Sequence, residues 1–376
     1  MARPAIRVGL IGSGFMGRAH AQAFRAVAGV FDLPAEPVME LLADVDEATA
    51  HRAAVSLGFN RSCGDWRALV EDREIDLVDI AAPNVFHREM ALAAIAAAKP
   101  VYCEKPLAPT ANEAGEMVAA AAAAGIRTMV GFNYLKNPIT ALAREIVESG
   151  EIGEVFAFRG THFEDYMTDP EGPYTWRFDP AGGDGVTADL ASHVIATARY
   201  LIGDLEAVCA DGDTVVRERP VAPGAEERRA ISVADQVRAL VRFANGVAGT
   251  MEASWVATGR KMQHAFEVTG TKGAIRADFE RLNELELYRT DAPAGREGFV
   301  RILTGPAHRG YASFTPAPGH QLGFNDLKTI EVRDLIRGLV GEPAPWPDFH
   351  EAWQVQRVVD AIARSRVERG WVAIGE

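Results

Sequence analysis

The stretch Val8-Gly9-Leu10-Ile11-Gly12-Ser13-Gly14-Phe15-Met16-Gly17 constrains this chain most, because an apolar strand there runs straight into a glycine-rich turn. Backbone amides at such a turn, with a helix N-terminus behind them, make a cradle for phosphate. Gly12 permits the tight turn, Gly14 leaves room for a pyrophosphate, and Gly17 lets the helix sit close to the sheet. The spacing alone is a weak signal. Its context is what points to a dinucleotide: a strand before it, a helix opening at Phe15 and Met16, and a second apolar run, Leu41-Leu42-Ala43, that ends on Asp44. A carboxylate there accepts from a ribose diol and repels a 2'-phosphate, and Val45-Asp46-Glu47 brings no arginine to offset that repulsion. The expected cofactor is NAD rather than NADP. Asp44 lies 27 residues beyond Gly17, against the usual ~20, because a loop around 31–37 lengthens the unit. The alternative for Asp44 is a cap on the next helix, a role Asp46 fills equally well.

Strand and helix signals then alternate: helices at 15–28, 47–57, 86–98 and 110–124, a short segment at 65–71, and strands at 75–81, 100–103 and 127–131. Short apolar strands joined by amphipathic helices predict a doubly wound parallel sheet of Rossmann type. The pattern changes near Asn133. A helix at 139–148, a strand at 155–163 and a helix at 186–202 precede strand-like runs at 236–243, 247–255, 264–269, 274–278 and 284–288, and the chain closes with helices at 322–339 and 349–369. These runs predict an α+β half with a large open, mainly antiparallel sheet. Residues 206–232 read as an exposed excursion. The expected division is 1–132 for NAD and 133–376 for substrate and oligomerisation, with the chemistry between them.

A chain of 376 residues with 48% hydrophobic residues can fill two cores. No apolar run reaches the ~20 residues of a membrane span, and the first strand starts too early for a secretory leader. Three cysteines without paired spacing suggest neither zinc nor a disulfide framework, so no metal is expected and the cytoplasm is the expected compartment. A formal charge of -13 argues against nucleic acid.

Three further segments carry chemistry. Glu104-Lys105-Pro106 ends a predicted strand at the edge where such sheets bind ligands, and a lysine there can donate to a substrate oxygen. Asp189 and His193 are four apart on a predicted helix, so the carboxylate can make the imidazole a better base for an alcohol proton. A surface ion pair is the plainer reading of the same spacing. His162, His264, His308, His320 and His350 lack such a partner. In Pro83-Asn84-Val85-Phe86-His87, Asn84 and His87 are either cofactor contacts or first-turn helix residues.

Taken together, the glycine turn, Pro83-Asn84 with His87, Glu104-Lys105-Pro106, Gly131-Phe132-Asn133-Tyr134, Trp176-Arg177 and Asp189 with His193 resemble the Gfo/Idh/MocA family of sugar and cyclitol oxidoreductases over nearly the whole chain. The resemblance implies an NAD-dependent dehydrogenase of a cyclitol, monosaccharide or anhydrosugar, with Lys105 polarising the reacting oxygen, His193 as acid/base, Asp189 tuning it and Glu104 supporting the lysine. It also implies a homodimer or homotetramer built on the second domain. Tyr134, Lys136, His162, Asp165, Trp176, Arg177 and His320 are the expected polyol contacts. Lys136 stands where many relatives have arginine, Ala196 where they have aspartate and Ala191 where glycine is common, and these departures bear on which substrate is taken. The segment from Gly305 to Gly323 resembles the inositol- and levoglucosan-dehydrogenase side of the family. Two alternatives remain open: a reductase of a carbonyl, imine or diene on the same scaffold, and a non-catalytic dinucleotide-responsive regulator.

Overall fold

The computed structural model describes residues 3–341 and 343–375. They form two compact units, one running to Lys136 and taking in Gly323–Gln354, the other made of Asn137–Leu322 and the residues from Val355 onward.

The first unit begins with β1 (Ala5–Ile11), α1 (Phe15–Val30), β2 (Glu36–Ala43), α2 (Glu47–Leu57), β3 (Arg61–Cys63), α3 (Trp66–Glu71), β4 (Leu77–Ile80), α4 (His87–Ala96), β5 (Val101–Cys103), α5 (Ala111–Ala124) and β6 (Thr128–Val130). Its sheet is parallel throughout, in the order β3-β2-β1-β4-β5-β6. Strand order reverses between β1 and β4, so the loops leaving these two strands border the crevice where doubly wound sheets bind ligands. Val8, Leu10, Leu77, Val78 and Ile80 are fully buried, as strands covered on both faces require. Local chemistry sets the helix ends: Asp46 and Thr110 accept from the amides of Thr49 and Glu113, and Gly58 closes α2 with φ +82°.

The second unit holds α6 (Pro138–Glu148), β7 (Val155–Phe163), α7 (Ser192–Ile202), β8 (Leu205–Asp213), β9 (Glu218–Pro220), β10 (Arg228–Ala230), β11 (Gln236–Phe243), β12 (Ala248–Ser254), β13 (Gln263–Gly270), β14 (Gly273–Asp278), β15 (Glu284–Arg289) and β16 (Val300–Leu303). β9 and β10 pair only with each other; the other eight strands, with β17 (Val372–Ala373), which follows α8 (Phe324–Leu339) and α9 (Phe349–Glu368), make a nine-stranded sheet in the order β16-β15-β14-β13-β7-β12-β11-β8-β17. Every neighbouring pair is antiparallel except β7 with β12.

One expectation fails in part: within 206–232, β8 is a full strand between β11 and β17 and β9 with β10 forms a hairpin whose Arg219 is buried, while most of 211–230 is exposed as expected. A bulge that shifts the register beside Leu205, together with the charges at Glu206, Asp211 and Asp213, hid the burial of Leu205, Val208 and Ala210 from the sequence pattern. The helix expected at 186–202 is present over that whole span, with its first turn, Thr187–Ala191, wound as a π segment that runs directly into α7. Hydrogen bonds there run to i+5, with Asp189 inside the π segment and His193 in the first turn of α7. The first unit also gains α8, which packs on α1 with Phe324 stacked on Phe15 at 5.8 Å.

Candidate functional site in two halves

The cradle in the first unit is steric before it is electrostatic. Gly12 has φ +95°, and a Cβ on it would stand 2.9 Å from the Ala81 carbonyl oxygen. A Cβ on Gly17 would stand 2.0 Å from the Gly12 oxygen. On Gly14 it would meet nothing within 4 Å, so the helix N-terminus faces open space on that side. No side chain caps α1 and no acid sits in its first turn, which leaves its amides for an anion. Asp44 stands at the end of β2 with Oδ2 accepting from the amide and hydroxyl of Ser13, and Oδ1 accepting from the Val45 amide at 2.7 Å. Three donors orient this carboxylate while leaving lone pairs for a diol. These residues fit NAD.

Beyond β4, Pro83 leads into a short turn opened by the buried Asn84. His87 is committed to backbone: Nδ1 lies 2.9 Å from the Pro106 oxygen and Nε2 2.8 Å from the Ala82 oxygen, tying the loops after β4 and β5 together. Burial pushes its pKa below the ordinary histidine value. The Lys105–Pro106 peptide is cis.

Behind Lys105 lies a buried charged network that the sequence reading missed. Glu104 Oε2 accepts from the Lys105 amide at 3.1 Å, and Oε1 accepts from His20 Nε2 at 2.8 Å and Lys328 Nζ at 2.9 Å. His20 Nδ1 reaches Asp79 at 2.8 Å, while Lys328 also pairs with Glu331 at 2.6 Å, which accepts from Tyr102 Oη. Burial works against a charged His20, but the charge of Asp79 and hydrogen bonds to Asp79 and Glu104 raise it to about 9. Burial likewise opposes an ionised Glu104, and the Lys328 ammonium with His20 overcomes it, holding the carboxyl well below its usual range. One signal was available in the sequence: an acid, Asp79, inside the otherwise apolar strand Leu77-Val78-Asp79-Ile80. Lys136, expected to touch substrate, gives its ammonium to Asp334 at 3.0 Å and to the Trp346 carbonyl at 2.6 Å. Tyr134 packs edge-on to Phe324.

In the second unit, Asp189 Oδ2 accepts from Tyr166 Oη at 2.8 Å and Arg177 Nε at 3.2 Å. Desolvation of its hydroxyl end, then the Asp189 charge, drives the Tyr166 phenol far above its usual pKa, so it remains a donor although 45% of the residue is exposed. The Arg177 guanidinium lies over the half-exposed Trp176 ring at 4.5 Å. His193, in the first turn of α7, belongs to a buried cluster with His162 and His264, ring centres 5.4 and 6.3 Å away. The expectation that no carboxylate partners these histidines fails for His162, whose Nε2 is 3.0 Å from Glu164, whereas His264 Nε2 meets the Thr197 hydroxyl at 3.0 Å. Strand pairing across β7 and β13 sets His162 opposite His264, a register that no local motif signals. Burial, aided by His162, keeps His264 well below the ordinary pKa. Asp165 is bound to Lys261 at 2.7 Å and to the Gly259 amide, and the exposed His320 donates its backbone amide to the buried Tyr311 hydroxyl. Among the described residues no helix is long and apolar enough to cross a membrane.

Residues 6–132 match the family model for the oxidoreductase family with an NAD-binding Rossmann fold, and residues 140–276 match the GFO/IDH/MocA C-terminal domain. Levoglucosan dehydrogenase of Pseudarthrobacter phenanthrenivorans is 39% identical over 98% of both chains. A structure of levoglucosan dehydrogenase in complex with NADH and levoglucosan superposes with a TM-score of 0.95, at 39% identity and 99% coverage of each chain. An NAD binding oxidoreductase from Klebsiella pneumoniae reaches 0.95 at 44% identity over the whole of both chains. The chain therefore belongs to the GFO/IDH/MocA family of NAD-binding oxidoreductases.

Proposed function

We propose that the enzyme oxidises a secondary alcohol of an anhydrosugar, levoglucosan or a close relative, using NAD. End-to-end likeness to levoglucosan dehydrogenase, 39% over 98% of both chains, carries the substrate reading. Bound NAD supplies the hydride acceptor. The ammonium of Lys105, carried on a backbone fixed by Glu104, donates to the reacting oxygen. His193 takes the hydroxyl proton, for which an imidazole is suited near neutral pH. Asp189 is oriented by Tyr166 and Arg177 and accepts from the sugar. With its ammonium spent on Asp334, Lys136 contributes to the fold of its loop rather than to the sugar.

The test is NADH formation at alkaline pH over a panel of anhydrosugars, inositols and aldoses, with NADP in parallel. NAD-dependent turnover of levoglucosan or a related anhydrosugar supports the reading. Turnover confined to inositols or aldoses moves the substrate within the family, and silence with NADH binding intact overturns it.

Copies of the chain associate, on this reading, through the open face of the nine-stranded sheet. Arg159, Glu267, Arg276 and Glu286 form alternating charges around a groove of about 370 Å³ there. A light-scattering mass of one 40.5 kDa chain would overturn this. The three cysteines are free, which suits a reducing cytoplasm; a disulfide in protein isolated under thiol-blocking conditions would count against it.

A further inference from the structure

We infer that the β9–β10 hairpin is a specificity element: it clamps the 165–178 loop, holds Tyr166 and Arg177 on Asp189, and thereby sets affinity for the sugar more than the rate of chemistry. The inference rests on the sugar-dehydrogenase reading given above.

The clamp has two struts. Arg219 on β9 is 1% exposed. Its guanidinium donates to the carbonyls of Met167, of Asp169 at 2.6 Å and of Gly172 at 3.4 Å, and lies over the Phe178 ring at 4.6 Å. A planar fork can serve several carbonyls and a ring face together, which a lysine cannot. Desolvating a guanidinium against neutral carbonyls is costly, and burial indeed lowers the pKa of Arg219. The hairpin adds a backbone bond from the Tyr174 amide to the Pro220 oxygen at 2.8 Å, and Arg228 reaches the Pro170 carbonyl at 3.1 Å. Arg229 lies over the Tyr174 ring at 4.2 Å.

The second strut starts just before β9. The Val216 amide donates to Asp235 Oδ2 at 2.7 Å, and the other oxygen of Asp235 accepts from Trp255 Nε1 at 2.6 Å. Trp255 is fully buried, and its ring meets both Phe178, at 5.6 Å, and Tyr166, at 6.5 Å. Both struts thus end on the loop that supplies Tyr166 and Arg177, the two donors that converge on Asp189 Oδ2. The same loop presents Trp176, 42% exposed, as an aromatic face of the kind a sugar ring packs against.

Arg219→Met, Arg219→Lys and Arg228→Ala are compared in the NAD-bound enzyme by steady-state kinetics and by hydrogen exchange over residues 166–178. Loss of the clamp raises the sugar KM about tenfold or more while kcat changes by less than about threefold, the pattern of lost positioning before the chemical step. NADH affinity stays constant, exchange in the loop accelerates, Arg219→Lys recovers part of both effects, and Arg228→Ala gives a smaller shift in the same direction. If Arg219→Met does not fold, Arg228→Ala and Arg229→Ala give the same readouts. Unchanged KM and exchange, or a fall in kcat at constant KM, overturns the inference. If the wild-type enzyme turns over no sugar, the function reading fails, and loop exchange still decides whether the clamp exists.

Discussion

Glu104 shows how one residue links the fold to the chemistry of the first unit. It is buried, kept ionised by Lys328 and His20, and spends its second oxygen on the amide of Lys105. The sequence marks Glu104 and Lys105 through the motif they share, but not the residues behind them, because Asp79, His20 and Lys328 meet only after β4, α1 and α8 pack. Two predictions belong at this scale. Lys105→Ala and His193→Ala should each lower turnover by about 10²–10⁴, with NADH affinity nearly unchanged, as read by stopped-flow and cofactor titration. Near-wild-type turnover in both would remove them from the mechanism. Asp44→Ser should lower the NAD over NADP ratio of kcat/KM by about tenfold or more, since it removes the diol acceptor and the repulsion of a 2'-phosphate. An unchanged ratio would show that Asp44 only holds Ser13 and Val45.

Elements were legible where their signal is local. The boundaries of α2, β7 and β11 follow from capping chemistry and from alternation, and these segments lie where the pattern puts them. Segments that depend on distant partners were not: β3, β16 and β17 are short edge or near-edge strands defined by what they pair with. The π-turn is a similar case, since its extra residue has no composition signature. The glycine turn permits an experiment that separates fold from cofactor. Gly17→Ala forces a Cβ against the Gly12 carbonyl, backbone against backbone, so the first unit should lose roughly 2 kcal/mol or more. Gly14→Ala meets no protein atom and should melt within about 2 °C of wild type, yet bind NADH at least about tenfold more weakly because the Cβ occupies the approach to the phosphates. Thermal melts and NADH fluorescence titrations of the two variants check this. Equal losses of stability, or intact binding in Gly14→Ala, would contradict the division of roles.

For the whole molecule, a formal charge of -13 describes the surface, whereas pH sensitivity comes from charges buried in the first unit. His20 titrates at about 9 in the folded protein against an ordinary 6.5. A group whose folded pKa is raised contributes stability that is fully present below its unfolded pKa and is lost as pH rises through the folded value. The shift corresponds to about 3 kcal/mol, present below pH ~6.5 and gone above pH ~9. Glu104 works in the opposite sense: its folded pKa is depressed, so its contribution holds above the ordinary carboxylate range and fades in acid. The folded chain should therefore lose stability on the alkaline side before its lysines titrate. Urea unfolding of wild type and His20→Gln at pH 6 and pH 9.5 isolates the His20 part, since every other titrating group is common to both. The wild type should lose about 2–3 kcal/mol more than the variant across that interval. Parallel profiles would mean that His20 is already neutral in the folded state and that Lys328 alone holds Glu104 ionised behind Lys105.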